Sequence, residues 1–284
     1  MLDPSRIGPP RERVTDPDAA ADWLRHFFAQ HTPLVLTGAG VSVASGLPAY
    51  RDARGNWQHA QPMQHRLFVE SADARARYWF RAAAGWAHFA RAQPSPVHTR
   101  LATWQTDKQI DLIATQNVDG LHQRAGSASV IDLHGRLDQV VCLDCGDLSE
   151  RDALQRRLLA ANPDTLVTSD AATRPDGDTE QSEVPPDFTV PSCTACGGRL
   201  KPHVVFYGDT VPRERVEALE SALHRARSLL VIGSSLMVYS GFRVARWAHE
   251  AHYPSVLLNE GVTRADPIAT VRLAVDAQTL LSDL

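Results

Sequence analysis

Four cysteines stand in two Cys-x-x-Cys pairs, Cys142 with Cys145 and Cys193 with Cys196. Each pair can aim two thiolates at one point, and two pairs complete a tetrahedral four-sulfur zinc site. Four protein ligands leave no open coordination position, so a zinc held there is structural, one per chain. A redox dithiol is the other chemistry such pairs support; the matched pairs and Gly197-Gly198 after the second favour the metal. A second concentration of reactive groups is Thr115-Gln116-Asn117-Val118-Asp119-Gly120-Leu121-His122, directly after the apolar run 110–114. Amides and a carboxylate at the C-terminal end of a parallel strand occupy the place where open α/β sheets bind ligands. Asn and Asp there can also simply cap the next helix. His134 closes another apolar run, 130–133. Imidazole, with an ordinary pKa of about 6.5, suits a base at neutral pH; a satisfied structural histidine is the plainer alternative. Gly38 and Gly40 follow Leu34-Val35-Leu36 at once. Without side chains there, backbone N–H groups can approach a pyrophosphate, although tight turns use the same pattern.

These residues need a scaffold that brings strand ends together. Apolar runs at 34–36, 110–114, 130–133, 229–232 and 256–258 read as strands, as does the stretch from Lys201 that leads into a turn. Helical spacing covers 18–30, 72–91 (broken or kinked near Gly85), 98–106, 149–161 and 212–227, with a last strand and helix in 271–284. Alternation of this kind predicts an α/β, doubly wound (Rossmann-like) parallel sheet. A smaller zinc-binding module is inserted in it. The expected division is 19–140 with 204–284 for the larger domain, including a helical insertion at 58–97, and 141–203 for the smaller. Residues 1–18 read as an extended or mobile arm, and 162–191, polar, acidic and Pro-rich, as a long loop.

At 284 residues and 43% hydrophobic, the chain can bury a sizeable core. A net charge of −4 argues against a nucleic-acid binder that works through a basic surface. No apolar run is long enough for a membrane span, and the first residues lack the apolar core of a secretory signal. Lysine occurs only at 108 and 201 among many arginines, a bias expected of a GC-rich bacterium. Cysteine pairs without an export signal fit a cytoplasmic location.

The pattern Gly38-Ala39-Gly40-x-Ser42-x-x-Ser45-Gly46-x-Pro48-x-Tyr50-Arg51, followed by Gly55-x-Trp57, resembles the NAD-binding opening of the sirtuins, the NAD-dependent protein deacylases. An ordinary dinucleotide fold would add a third glycine three residues after Gly40 and continue into a long helix. The 115–122 stretch matches a second sirtuin signature. The resemblance implies that Asn117 and Asp119 surround the nicotinamide and its ribose, that Gln116 lies near that ribose, and that His134 is the catalytic base. Lys201 to Asp209 is similar to the family segment whose backbone pairs with an extended substrate peptide, which implies substrate contacts at Val204, Val205, Phe206 and Gly208. His203 and Tyr207 depart from it, standing where Asp and Phe are usual. Gly233-Ser234-Ser235 and Asn259-Glu260-Gly261 resemble the cofactor segments, the latter at the adenosine ribose, with Ala277 near the adenine. The chain looks most like class II, the mitochondrial lipoamidase and ADP-ribosyltransferase type.

The resemblance implies that NAD is consumed. An acyl-lysine amide oxygen attacks C1′ of the ribose and expels nicotinamide. His134 then takes a proton from the ribose hydroxyls so that the 2′ oxygen attacks the imidate carbon, and water completes the release of O-acyl-ADP-ribose and free lysine. The expected partners are therefore acyl-lysine proteins, with no nucleic acid and no membrane. Mono-ADP-ribosylation, or NAD or ADP-ribose sensing without catalysis, would use the same pocket. Tyr78 and Arg81, three apart on one helix face, resemble a pair that grips acidic acyl groups; the favoured alternative is a core tyrosine and a solvated or ion-paired arginine.

Overall fold

The structure, a computed structural model, describes residues 7–58, 62–163, 183–282 and 284. Among them, ten strands run in chain order as β1 (Arg13–Val14), β2 (Leu34–Thr37), β3 (Ile113–Thr115), β4 (Val130–Asp132), β5 (Gly135–Cys142), β6 (Leu148–Glu150), β7 (Leu200–Val204), β8 (Leu229–Ile232), β9 (Ser255–Leu258) and β10 (Val271–Leu273). Seven form one parallel sheet in the order β1-β10-β9-β8-β2-β3-β4, and β6-β5-β7 form a second, antiparallel sheet. The chain winds outward from β2 through β3 to β4, then from β8 through β9 to β10 on the other side. The order therefore reverses between β2 and β8.

β2, β8 and β9 are buried along their whole length, which is why they read as unbroken apolar runs rather than alternating ones. Their side chains still alternate between two cores. Val35, Ile113, Leu230, Ile232 and Val256 face helices α1 (Pro17–Gln30), α4 (Pro96–Thr106) and α9 (Ala277–Ser282), whose Leu24, Phe27, Leu101 and Leu281 complete that cluster. Leu34, Leu36, Leu229, Val231 and Leu257 face α7 (Arg213–Ala226) and α8 (Tyr239–Glu250) through Leu219, Leu223, Val244 and Ala248.

A third cluster joins the small sheet to α2 (His65–Glu70), α3 (Ala72–Arg91) and α6 (Arg151–Ala161). Phe68, Tyr78, Trp79 and Trp86 there meet Leu137, Val140, Leu154 and Leu200. Helices α2 and α3 thus share their core with the small sheet and with α6.

Local chemistry explains where elements begin. Asp16 caps α1 by accepting from the Ala19 amide at 2.9 Å, with Pro17 in the first turn. α4 starts at Pro96, two residues before the position read from sequence, because Ser95 and His98 form a reciprocal cap around it. α3 runs unbroken through Gly85. Its small-residue stretch instead admits α6 at close range: Arg151 Nη2 donates to the Ala82 carbonyl (3.2 Å) and Gln155 Nε2 to that of Ala83 (2.9 Å). The expected arm at 1–18 is also corrected in part, since Arg13–Val14 pair with β10 as a two-residue edge strand. Most of the loop expected at 162–191 lies outside the described residues, as do residues 1–6. No described helix is long and apolar enough to cross a membrane.

Candidate active site

The reversal between β2 and β8 is where open parallel sheets leave a crevice at the C-terminal strand ends. The loops that leave these two strands meet there backbone to backbone. A Cβ on Gly40 would come within 2.7 Å of the Gly233 Cα, and one on Gly38 within 2.7 Å of the Ser234 Cβ. Both glycines are thus required by the contact between loops. Ala39 to Ser45 then form one stretch of 3-10 helix, ended by Gly46 in the left-handed region (φ 82°).

A polar cluster stands beside this junction. Asn117 Nδ2 donates to the Gly38 carbonyl and to Ser42 Oγ, both at 3.0 Å. Ser42 Oγ donates in turn to Asp119 Oδ2 at 2.7 Å, while the other Asp119 oxygen accepts from the Leu121 amide at 2.9 Å. Burial raises the Asp119 pKa from its ordinary value, against the pull of these donors. Gln116 Nε2 donates to Ser234 Oγ at 2.7 Å and so ties β3's end to the loop after β8. Beneath the cluster, Thr37 Oγ1 joins Thr115 Oγ1 (2.9 Å) and His122 Nε2 (2.8 Å).

His134 lies in the turn between β4 and β5, next to Gly135, whose φ of 80° and contact with the His203 carbonyl admit no side chain. Its Nδ1 lies 2.7 Å from the Gln116 carbonyl. A carbonyl only accepts, so Nδ1 carries the proton and Nε2 keeps its lone pair. Ser240, in the first turn of α8, places its Oγ 2.7 Å from Nε2. Burial holds the ring's pKa below its ordinary value, and the Arg215 charge adds to that, opposed by the Gln116 bond. No motif marks Ser240 or Arg215; only the fold brings them here.

The remaining segments flank this core. Arg51 stacks 4.1 Å above the Trp57 ring and donates to the Gly55 carbonyl at 2.6 Å, closing the loop after Pro48 and Tyr50. Trp57 also meets Tyr50 (6.2 Å) and Tyr207 (5.7 Å) edge to face. The Val205 amide donates to the His134 carbonyl (2.8 Å), which sets Val204–Phe206 directly beside the histidine turn. Gly208 takes φ 80° just beyond, and Asp209, 3.0 Å from His65 and 3.4 Å from Lys201, anchors the segment. The Ser235 carbonyl accepts from the Arg264 amide at 2.8 Å. Asn259 Nδ2 donates to the Gly261 carbonyl at 2.9 Å, and Gly261 packs against Ala53 with no room for a Cβ; Glu260 is exposed. Ala277 starts α9, whose Gln278 reaches the Val41 carbonyl at 3.1 Å. Tyr78 is 1% exposed and ringed by Phe68, Phe206 and Trp79 at 5.3–5.5 Å. Arg81, one turn on, is half-buried.

The four cysteine sulfurs all lie within 4.8 Å of one another. Cys142 and Cys196 are 3.6 Å apart, and Cys145 and Cys193 3.9 Å. Four sulfurs each about 2.3 Å from a central zinc have edges of roughly 3.8 Å. The cluster therefore fits one tetrahedral zinc.

Residues 38–240 match the family model described as the Sir2 family. The chain is 45% identical over 263 residues to the NAD-dependent protein deacetylase of Bordetella bronchiseptica, covering 92% of this chain and 96% of that protein. It is 43% identical over 268 residues to the human mitochondrial NAD-dependent protein lipoamidase sirtuin-4, covering 93% of this chain and 85% of that one. Among solved structures, a Sir2 homologue in complex with NAD superposes with a TM-score of 0.72 at 25% identity, over 96% of this chain and 94% of that one. On sequence and on architecture alike, this chain belongs to the Sir2 family.

Proposed function

We propose that this protein is an NAD-dependent protein-lysine deacylase, a transferase that consumes NAD and releases nicotinamide, O-acyl-ADP-ribose and the free lysine. The observation that carries this reading is the histidine with one nitrogen committed to the Gln116 carbonyl and the other left basic, beside the Asn117–Ser42–Asp119 cluster. The relatives named as deacetylases support it along most of the chain's length.

Bound at the crevice, NAD would supply an electrophilic C1′ and nicotinamide as the leaving group. Gly38, Ala39, Gly40, Ser42, Gln116, Gly233, Ser234 and Ser235 would hold it at the strand ends, with Asn259, Glu260, Gly261 and Ala277 toward the adenosine. Pro48, Tyr50, Arg51 and Trp57 would close over it and keep out water. Asn117 and Asp119 would orient the nicotinamide end. His134 Nε2 would accept the proton from a ribose hydroxyl, a general-base role worth roughly 10²–10⁴ in rate. Val204, Val205, Phe206 and Gly208 would pair with an extended acyl-lysine protein segment, main chain to main chain, which tolerates many sequences. Zinc at Cys142, Cys145, Cys193 and Cys196 would have no open position and would contribute to folding alone. The domain division at 19–140 with 204–284 and 141–203 is part of this proposal, as is a cytoplasmic location, where reduced thiols keep such a site loaded.

The test is mass spectrometry of the products formed from NAD and an acetyl-lysine peptide. O-acyl-ADP-ribose with free lysine supports deacylation. ADP-ribosylated protein without deacylation would replace it with a mono-ADP-ribosyltransferase, and binding of NAD without turnover would make the protein a sensor.

A further inference from the structure

The proton-accepting nitrogen of His134 faces a hydroxyl of this same chain, and the fold gives that hydroxyl little freedom. Ser240 is the second residue of α8, so its backbone is held by a twelve-residue helix. The next residue, Gly241, packs so closely on β3's end that a Cβ there would lie 2.3 Å from Gln116 Oε1. Gln116 is the residue whose carbonyl holds the other side of the imidazole. Its amide also bonds Ser234 in the loop that leads to α8. The helix start, the loop after β8 and the end of β3 thus form one connected unit around the ring.

We propose that Ser240 is a positioning residue for His134: its hydroxyl donates to Nε2 at 2.7 Å and, with the Gln116 carbonyl on Nδ1, holds the imidazole in the orientation that the base needs. The inference rests on the reading of His134 as the base. A ring bonded at one nitrogen can still pivot about that bond, whereas bonds at both nitrogens define its plane. The serine hydroxyl must leave Nε2 as the ribose hydroxyl takes its one lone pair, so its part is to deliver the ring already oriented. The histidine therefore waits with both ring nitrogens hydrogen-bonded.

Two measurements test this on the full zinc-loaded chain. Ring nitrogen NMR of the protein without ligand, at neutral pH, should report a protonated Nδ1 and a hydrogen-bonded, unprotonated Nε2 for His134. In Ser240→Ala the Nε2 resonance should move toward that of an unbonded imidazole nitrogen, and Ser240→Thr should restore it. In steady-state assays with NAD and an acetyl-lysine peptide, Ser240→Ala should lower kcat roughly five- to tenfold, the scale of one lost hydrogen bond. Both KM values should stay within about twofold, and Ser240→Thr should recover most of the loss. An unmoved Nε2 signal, an unchanged kcat, or a loss confined to KM would overturn the proposal. Near-normal turnover in His134→Ala would be a different failure, that of the base assignment, and the NMR result would still say whether the serine holds the ring.

Discussion

The two sheets of this molecule keep their shapes by different means. The seven-stranded sheet buries β2, β8 and β9 completely and is packed by helices into two apolar cores. The three-stranded sheet is short, and β6 is largely exposed, with Leu148 56% open to solvent. Sheets of that size need added support, and here α2, α3 and α6 supply a shared apolar core and four thiols cluster beside the end of β5. The candidate catalytic residues Asn117 and Asp119 follow β3 of the large sheet, and His134 lies in the turn that leads from β4 into β5 of the small one. β5 begins next to His134 and ends at Cys142, so the metal site is roughly 25 Å away at about 3.3 Å per residue. The candidate site therefore lies where the two sheets meet, and the four thiols lie at the far end of the smaller one.

The largest effect that could break this contrast is loss of zinc. Elemental analysis should find one zinc per chain. Replacing any of the four cysteines by Ala removes a site of the kind whose apparent binding free energy is about 10–16 kcal/mol. Amide exchange should then rise in β5, β6 and β7 while β2, β8 and β9 stay protected. Equal loss in both sheets would mean that they do not differ in their support.

Next in size is His134→Ala, which should cut deacylation by roughly 10²–10⁴ while NAD still binds and neither sheet loses protection. Turnover close to wild type would remove His134 from the mechanism.

Acid should act on the large sheet by a route of its own. His98 and His122 are buried there with ring centroids 4.7 Å apart. Burial holds the His98 pKa down to about 4 and that of His122 well below its ordinary 6.5. The folded state therefore binds fewer protons than the unfolded one. Stability is full above about pH 6.5 and falls as the pH drops toward 4, by about 3 kcal/mol from His98 alone. Exchange of the β2 and β3 amides at pH 7 and pH 4.5 would measure it, and His98→Asn should flatten the dependence. No change in those amides would show that the pair is not held neutral.

The smallest effect is expected at the other core. Arg81→Met should leave acetyl- and succinyl-peptide deacylation in their wild-type ratio within about threefold, because the neighbouring Tyr78 is enclosed by aromatic rings. A selective loss of the succinyl substrate by roughly 2 kcal/mol would instead make the pair a reader of acyl carboxylates.

Much of this was legible because strands buried on both faces leave unbroken apolar runs, and their alternation with helices implies a parallel, doubly wound sheet; the strand order was not legible. The cysteine pairs were legible because metal ligation has a fixed spacing. Ser240 was not, since a serine early in a helix looks like any cap until the fold sets it against His134. Gly85 misled because a glycine in a helical pattern reads as a break, whereas α3 continues through it and meets α6 through the carbonyls of Ala82 and Ala83. The glycines at 38 and 40 read as room for a pyrophosphate, whereas the structure sets the backbone of Gly233 and the side chain of Ser234, partners invisible in local sequence, against them.

That pairing of β2 with β8 has a consequence for how the protein is made. β2, β3 and β4 leave the ribosome together, but β8 follows only after the whole cysteine-bearing segment. Until then, β2 presents an unpaired apolar edge, the kind of surface through which nascent chains stick to one another. Pairings this distant in sequence also close slowly. Synthesis of this protein should therefore lean on chaperones during the interval between its first and second half-sheets, and should yield more native protein when elongation through the cysteine-bearing segment is fast.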